Sequence, residues 1–295
     1  MQAHPETSKD TNFYARKNDM ANDTMTGNTV FITGAGSGIG FETALAFARE
    51  GAAIVATDVV QDGLDRLRAQ VKEQGVDFRE ALLDVTDEAA FESLAAQLAA
   101  DGQLPDIVVN NAGIGYMNPF VDTTAAQWRR TLDINVLGVA WGSRVFTRLW
   151  QTQNIAGHLV NIASAASVTP MPNMAAYAAS KYAVEGLCEV LQMELAETSI
   201  RVSCVHPGVI NTAIVTHDDR SDLPREQVER LQQYYRDKGA HPSVVARDIV
   251  AGVKAGRPNI FTGPGTGLAP VLKRLLPRRM FRRLLMNAAR DAGYL

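Results

Sequence analysis

The sequence predicts an α/β chain built as a doubly wound parallel sheet with helices on both faces. Three observations predict it. Short apolar runs alternate with longer amphipathic runs along most of the chain. A glycine-rich turn joins the first apolar run to the first helical run. Polar residues stand directly after the strand-like segments. A length of 295 residues and a hydrophobic content of 46% are ample for one large core.

Residues 29–33 (Thr-Val-Phe-Ile-Thr) read as a short buried strand. Gly34-Ala35-Gly36-Ser37-Gly38-Ile39-Gly40 follows at once, and an alanine-rich helical run covers 41–50. Glycines allow a tight turn and close backbone approach, and a helix N-terminus offers free N–H groups, so strand, turn and helix together suit a pyrophosphate. A glycine turn that only connects two elements is the other reading. A second strand, 53–57, ends at Asp58. A carboxylate there suits a ribose 2′-hydroxyl and repels a 2′-phosphate. A turn-forming aspartate is the alternative. Apart from Arg49, no Lys or Arg lies between Phe31 and Asp58, and none follows before Arg66. NAD is therefore expected over NADP.

Further strands are expected at 77–83, 106–110, 158–163 and 200–205, and helices at 62–74, 87–100, 125–151 and 174–197. Asp58, Asp84, Asn111, Ser164 and Pro207 each fall just after a predicted strand. That places them on one edge of the sheet, where ligands of open α/β sheets bind.

Tyr177 and Lys181 are four residues apart in a predicted helix, with Ser164 upstream. Positions i and i+4 share a helix face, so phenol and ammonium become neighbours. Moving a tyrosine from ~10 to about 7 takes roughly 4 kcal/mol. A cation about 4 Å away at an effective dielectric near 20 supplies roughly that much. The pair is thus expected to form an acid/base at neutral pH. A half-buried ring beside a solvated lysine is the plain alternative.

Taken together, these residues resemble the short-chain dehydrogenase/reductase family, over about 27–263. The resemblance rests on Thr33-Gly34-Ala35-Gly36-Ser37-Gly38-Ile39-Gly40, Asp84-Val85, Asn110-Asn111-Ala112-Gly113, Asn135-Val136, Ser164, Tyr177 with Lys181, and Pro207-Gly208. It implies a Rossmann fold of about seven strands. It implies Ser164, Tyr177 and Lys181 as the catalytic set, with Asn135 as a fourth member supporting a water chain. It also implies Asp84 and Val85 beside an adenine, and Asn111, Ala112 and Gly113 along the cofactor cleft. Lys181 would hold the nicotinamide ribose. Pro207 and Gly208 open the nicotinamide-side loop, with Thr212 on the carboxamide and the Val209 backbone assisting. Ser167 is a rival for the role of Ser164, which also reads as a turn cap. Asn135 also reads as the residue that satisfies a helix kink.

The expected organisation is an N-terminal extension over 1–25, a dehydrogenase domain over 26–264 and a basic tail over 265–295. Residues 1–25 are polar and lack the apolar stretch of a signal peptide, so disorder is expected there. Between Ile249 and Arg290 there are nine cations and no acid, in a chain whose formal charge is −3. Leu268, Val271, Leu272, Leu275 and Leu276 follow helical spacing, as do Met280, Phe281, Leu284 and Leu285 after Pro277. Such a tail either packs on the protein or a neighbouring subunit, or lies on an anionic membrane surface. Nucleic acid is not indicated, because the cluster has one aromatic residue, Phe281, for stacking. Cys188 and Cys204 read as buried thiols in a cytosolic protein, and the five histidines show no metal-ligand spacing. His206 could approach the cleft but reads better as a strand-end residue. No apolar run reaches the roughly 18 residues that span a bilayer.

A pocket wall is expected from 114–117, from 168–174 and from the segment after Thr212, with a charged lid over 217–238. These apolar, methionine-bearing stretches suit a bulky hydrophobic substrate such as a steroid, retinoid, aryl or lipid alcohol. The long helices 125–151 and 174–197 resemble the family's assembly helices, which implies a dimer or tetramer. A non-catalytic nucleotide sensor and an NAD-retaining epimerase or dehydratase are the other functions this fold accommodates.

Overall fold

A computed structural model describes residues 24–212, 214 and 221–295. Seven parallel strands form one sheet in the order β3-β2-β1-β4-β5-β6-β7. They are β1 (Thr29–Thr33), β2 (Ala53–Asp58), β3 (Phe78–Leu82), β4 (Ile107–Asn110), β5 (Gly157–Ile162), β6 (Ile200–Pro207) and β7 (Asn259–Thr262). The strand order reverses between β1 and β4, which opens a crevice beyond their C-terminal ends. The last strand, β7, and the helix before it, α8 (Pro242–Lys254), were not anticipated from the sequence.

Side-chain alternation in β1 shows how the layers form. Val30 and Ile32 point into one buried cluster with Phe47, Leu64 and Ile249. That cluster lies under α1 (Gly38–Arg49), α2 (Gln61–Lys72) and α8. Phe31 points to the other face, into a cluster with Phe91, Phe146, Trp150 and Cys188. This second cluster lies under α3 (Glu88–Ala100), α5 (Gly138–Gln153) and α6 (Ala175–Glu194). Cys188 and Cys204 are both buried free thiols. A third, smaller cluster joins Met117, Met174, Tyr177, Leu231, Ala289 and Tyr294 beyond the sheet edge.

Two expectations need correction. The single helix expected over 125–151 is three segments: α4 (Ala125–Leu132), a π-helical turn (Asp133–Leu137) and α5. The wide turn carries Asn135, fully buried, whose side-chain amide exchanges two hydrogen bonds with the Ile114 main chain at 2.8 and 2.9 Å. A π turn inserts an extra residue without breaking the apolar period on either side, so periodicity alone does not reveal it. The N-terminal extension also stops short of its expected limit. Met25 is buried, and its N–H donates to the Glu50 carbonyl at 2.8 Å. Residues 1–23 lie outside the described residues.

The basic tail forms α9 (Ala269–Leu275) and α10 (Arg278–Asp291), preceded in the chain by α7 (Arg225–Lys238). Ala289, Ala292 and Tyr294 are buried against the rest of the protein. Leu268, Val271, Leu275, Met280 and Leu284 remain exposed. Among the described residues no helix is long and apolar enough to cross a membrane.

Candidate active site

The glycine turn leaves β1 with Gly34 at φ 64° and Gly38 at φ 56°, the left-handed region that glycine enters without strain. A Cβ on Gly40 would stand 2.3 Å from the Gly34 carbonyl oxygen, so the turn packs too tightly for any side chain there. Ser37 precedes α1 in extended conformation and its side chain does not cap the helix, which leaves the first-turn N–H groups facing the crevice. Asp58 closes this corner. Its carboxylate accepts from the Gly36 N–H at 2.8 Å and from the Val60 N–H at 3.0 Å. Asn111 ties the end of β4 to the same turn by donating to the carbonyls of Thr33 and Gly34 at 2.9 and 3.1 Å. These residues fit a dinucleotide: a side-chain-free cradle at a helix N-terminus, with a fixed carboxylate one strand away. Arg66 in α2 also reaches this corner, with its guanidinium 3.4 Å from the Gly36 carbonyl oxygen. Arg66 is the first cation after Asp58 in the sequence, and α2 carries it back to the turn.

A single cleft of about 910 Å³ runs from this corner across the strand ends. Its wall includes Gly34, Ser37, Gly38, Ile39 and Asp58 at one end, then Asp84, Val85, Asn111, Ala112 and Gly113. Ser164, Tyr177 and Lys181 follow, with Pro207, Gly208, Val209 and Thr212 opposite them. Gly36 and Gly40 lie behind that surface, packed on Asp58 and Gly34 respectively. Thr212 lies across the turn, its methyl carbon 3.6 Å from where a Gly38 Cβ would be. Asp84 is oriented by Thr86, whose N–H and hydroxyl donate to it at 3.0 and 2.8 Å.

Tyr177 sits in the first turn of α6 and Lys181 in the next. Both are buried. The Lys181 ammonium donates to the Ile162 carbonyl at 2.8 Å and lies 5.7 Å from the Tyr177 ring centroid. Burial pushes the Tyr177 phenol above its ordinary value, and a hydrogen bond with Ser164 partly offsets this. The direction is the reverse of the lowering expected from Lys181, and burial is its largest cause. Burial also lowers Lys181 to about 8, so it still carries its proton at pH 7.

Ser164 caps a turn and also stands on the cleft wall. Its hydroxyl accepts from the Ala166 N–H at 3.1 Å, capping the 3₁₀ turn Ala165–Ser167, and it lines the cleft. Ser167 points away, donating to the Ser164 carbonyl at 2.7 Å beside His206. His206 is buried and stacks on Phe261 with centroids 4.5 Å apart, a strand-end role. Asn135 does not reach the cleft. Besides Ile114 it donates to the Ser180 hydroxyl at 3.0 Å, and that hydroxyl donates to the Tyr177 carbonyl at 2.7 Å. The Asn135 side chain thus links the Ile114 main chain to α6.

At the substrate end, Ile114, Met171, Met174 and Ile214 line the cleft as expected. Lid residues 217–220 lie outside the described residues, but α7 follows Pro224 as predicted. The sequence reading missed Tyr235 from α7 and Ala288, Ala292 and Tyr294 from the tail, which line the same space. The tail's charge pattern marks its outer face. The inner stripe, Leu285, Ala288 and Ala292, was the signal that could have found them.

A glycine cradle, an anchored carboxylate and a Ser-Tyr-Lys set share one crevice of a seven-stranded parallel sheet of Rossmann type. A sequence profile described as short chain dehydrogenase matches residues 28–222, and the chain belongs to that family. It is 36% identical over 260 residues to a probable oxidoreductase, EphD, of Mycobacterium tuberculosis, covering 85% of this chain and 43% of that one. The chain thus spans under half the length of these mycobacterial relatives. It is 30% identical to estradiol 17-beta-dehydrogenase 11 of Mus musculus, over 88% of this chain and 83% of that one. A short-chain dehydrogenase/reductase from Burkholderia phymatum, solved in complex with NAD, superposes with a TM-score of 0.76 at 30% identity, covering 88% and 95% of the two chains.

Proposed function

We propose that the chain is an NAD-dependent oxidoreductase that interconverts an apolar secondary alcohol and its ketone. The carrying observation is that Ser164, Tyr177 and Lys181 open onto the same cleft as the glycine turn and Asp58. A nicotinamide dinucleotide supplies the hydride acceptor for the alcohol carbon. Tyr177, once deprotonated to the phenolate, takes the hydroxyl proton, and Ser164 donates a hydrogen bond to the oxygen as it becomes a carbonyl. In the reverse direction the neutral phenol gives its proton to the ketone oxygen. Lys181 holds the phenol side of the cleft in place through Ile162 and, by resemblance, the ribose. Asn135 braces Ile114 and α6 against each other. Because burial keeps Tyr177 protonated near pH 7, alcohol oxidation gains rate as pH rises, and ketone reduction loses it.

NAD is favoured because Asp58 faces the ribose corner as an anchored carboxylate, while Arg66 is the residue a 2′-phosphate would use. The apolar wall and the likeness to an estradiol dehydrogenase support a steroid, retinoid, aryl or lipid alcohol. Exposed Val190 and Met193 on α6 support assembly into a homodimer or tetramer. The outer face of α9 and α10, with exposed Leu268, Val271, Leu275 and Met280 among Lys and Arg residues, supports contact with an anionic lipid surface. A panel of hydrophobic alcohols offered with NAD and with NADP, followed by absorbance of the reduced cofactor, tests the reading. Faster turnover with NADP overturns the role given to Asp58, and no turnover with either overturns the activity.

A further inference from the structure

The substrate end of the cleft is mostly apolar, with Met171, Met174, Ile214, Leu285 and Ala288 on its wall. Among the phenols on this wall, Tyr235 on α7 and Tyr294 just past α10 meet each other. Their hydroxyl oxygens are 2.6 Å apart. Two hydroxyls carry two protons, and one of these lies between the oxygens. The second proton has no acceptor among the described residues. That O–H therefore offers a donor to an oxygen of a molecule in the cleft.

The pair is held in place from several sides. Asn173 donates to the Tyr294 carbonyl at 2.8 Å, and Gln227 donates to the Gly293 carbonyl at 3.1 Å. The Tyr294 N–H donates to the Ala289 carbonyl at 2.8 Å. Tyr294 is buried in the same apolar cluster as Tyr177. Burial raises both phenols, Tyr235 to about 12, so both remain neutral donors in the physiological range.

We propose that Tyr235 and Tyr294 form a specificity-determining clip that hydrogen-bonds a second oxygen of the substrate, a carbonyl or hydroxyl on the same apolar skeleton as the reacting alcohol. The proposal rests on the oxidoreductase reading and narrows it. The preferred substrate is a bifunctional molecule, a keto-alcohol or a diol, rather than a simple long-chain alcohol. The clip leaves the hydride and proton transfers at Tyr177 unchanged and acts on which molecule is held there.

The test uses a matched pair on one fused-ring skeleton: a secondary alcohol alone, and the same alcohol carrying a remote ketone. The expected result is a kcat/KM at least about tenfold higher for the keto-alcohol with the wild-type protein, the effect of one buried hydrogen bond. Tyr235→Phe and Tyr294→Phe, which keep the rings, are each expected to bring the ratio close to one, chiefly through KM. Urea midpoints of both variants near the wild-type value exclude a folding cause. Equal turnover of the two alcohols by the wild type, or a preference that survives both substitutions, overturns the clip. Absence of hydride transfer from every alcohol overturns the oxidoreductase reading and the clip with it.

Discussion

The two ends of the cleft are built differently. The glycine turn, Asp58 and Asn111 come from strand ends and their first turns, and main-chain groups make most of the contacts. The substrate end is assembled from side chains far apart in sequence: Met174 before α6, Tyr235 on α7 and Tyr294 near residue 295, joined by hydrogen bonds such as that from Asn173 to Tyr294. The first kind of site tolerates no added atoms. The second tolerates exchange, because its walls are side chains whose shape is the specificity. A fold of this kind keeps one cofactor geometry while its substrates vary.

The comparison breaks first at Tyr177. Tyr177→Phe is expected to lower kcat/KM by about 10³-fold, within the range lost with a general acid/base, while dinucleotide affinity changes far less. Stopped-flow turnover beside a fluorescence titration of cofactor separates the two effects. Similar losses in both would mean that the ends are not separable.

Gly40→Ala sharpens the contrast from the cofactor side. Its new methyl would meet the Gly34 carbonyl oxygen at 2.3 Å and the Asn111 amide at 2.5 Å. Overpacking of this kind costs about 1–3 kcal/mol of stability, and weaker dinucleotide binding should accompany it. An alanine variant with wild-type urea midpoint and cofactor affinity would contradict the tight cradle.

Acid stability probes a region outside both ends. His158 is buried against Ser203, 2.8 Å from its hydroxyl, and burial holds its pKa at about 3 against an ordinary 6.5. The folded-state value is depressed, so the contribution is fully present above pH 6.5 and is lost as pH falls toward 3. Below 6.5 the unfolded chain binds the extra proton, and stability should fall by up to about 1.4 kcal/mol per pH unit. Urea midpoints between pH 3 and 7 should show this slope, and His158→Gln should flatten it.

The smallest effect is expected at the tail. Replacing Arg278, Arg279, Arg282 and Arg283 by Glu should abolish co-flotation with anionic liposomes and leave turnover of a soluble alcohol near wild type. Unchanged flotation would remove the lipid contact. These four arginines are exposed along the first two turns of α10.

Much of the cofactor end was legible from residue order, because glycine spacing and a carboxylate after a strand each answer to a backbone requirement. Tyr177 and Lys181 were legible as a pair for the same reason, since i and i+4 share a face. Their electrostatics were not, because desolvation depends on what covers the ring. β7 was missed because Asn259–Thr262 is only four residues long, exposed at alternate positions, and follows a Pro. Tyr294 was missed because the tail's arginines drew the reading to its solvent side, whereas Ala289 and Ala292 carry the inner contact and Ala288 borders the cleft.

The wide turn at Asp133–Leu137 has a consequence for sequence change. It holds one residue more than a regular helix needs, so it acts as a reading-frame shift in three dimensions. Removing that residue would restore a straight rod and swing everything on one side of it by about 100°, the angle per residue of an α-helix. Asn135 would then lose Ile114 and Ser180 together, and either α4 would turn away from α6 or Phe146 and Trp150 of α5 would turn out of the cluster on the sheet. Insertions and deletions in this stretch are therefore felt both at α6 and in the core that α5 covers.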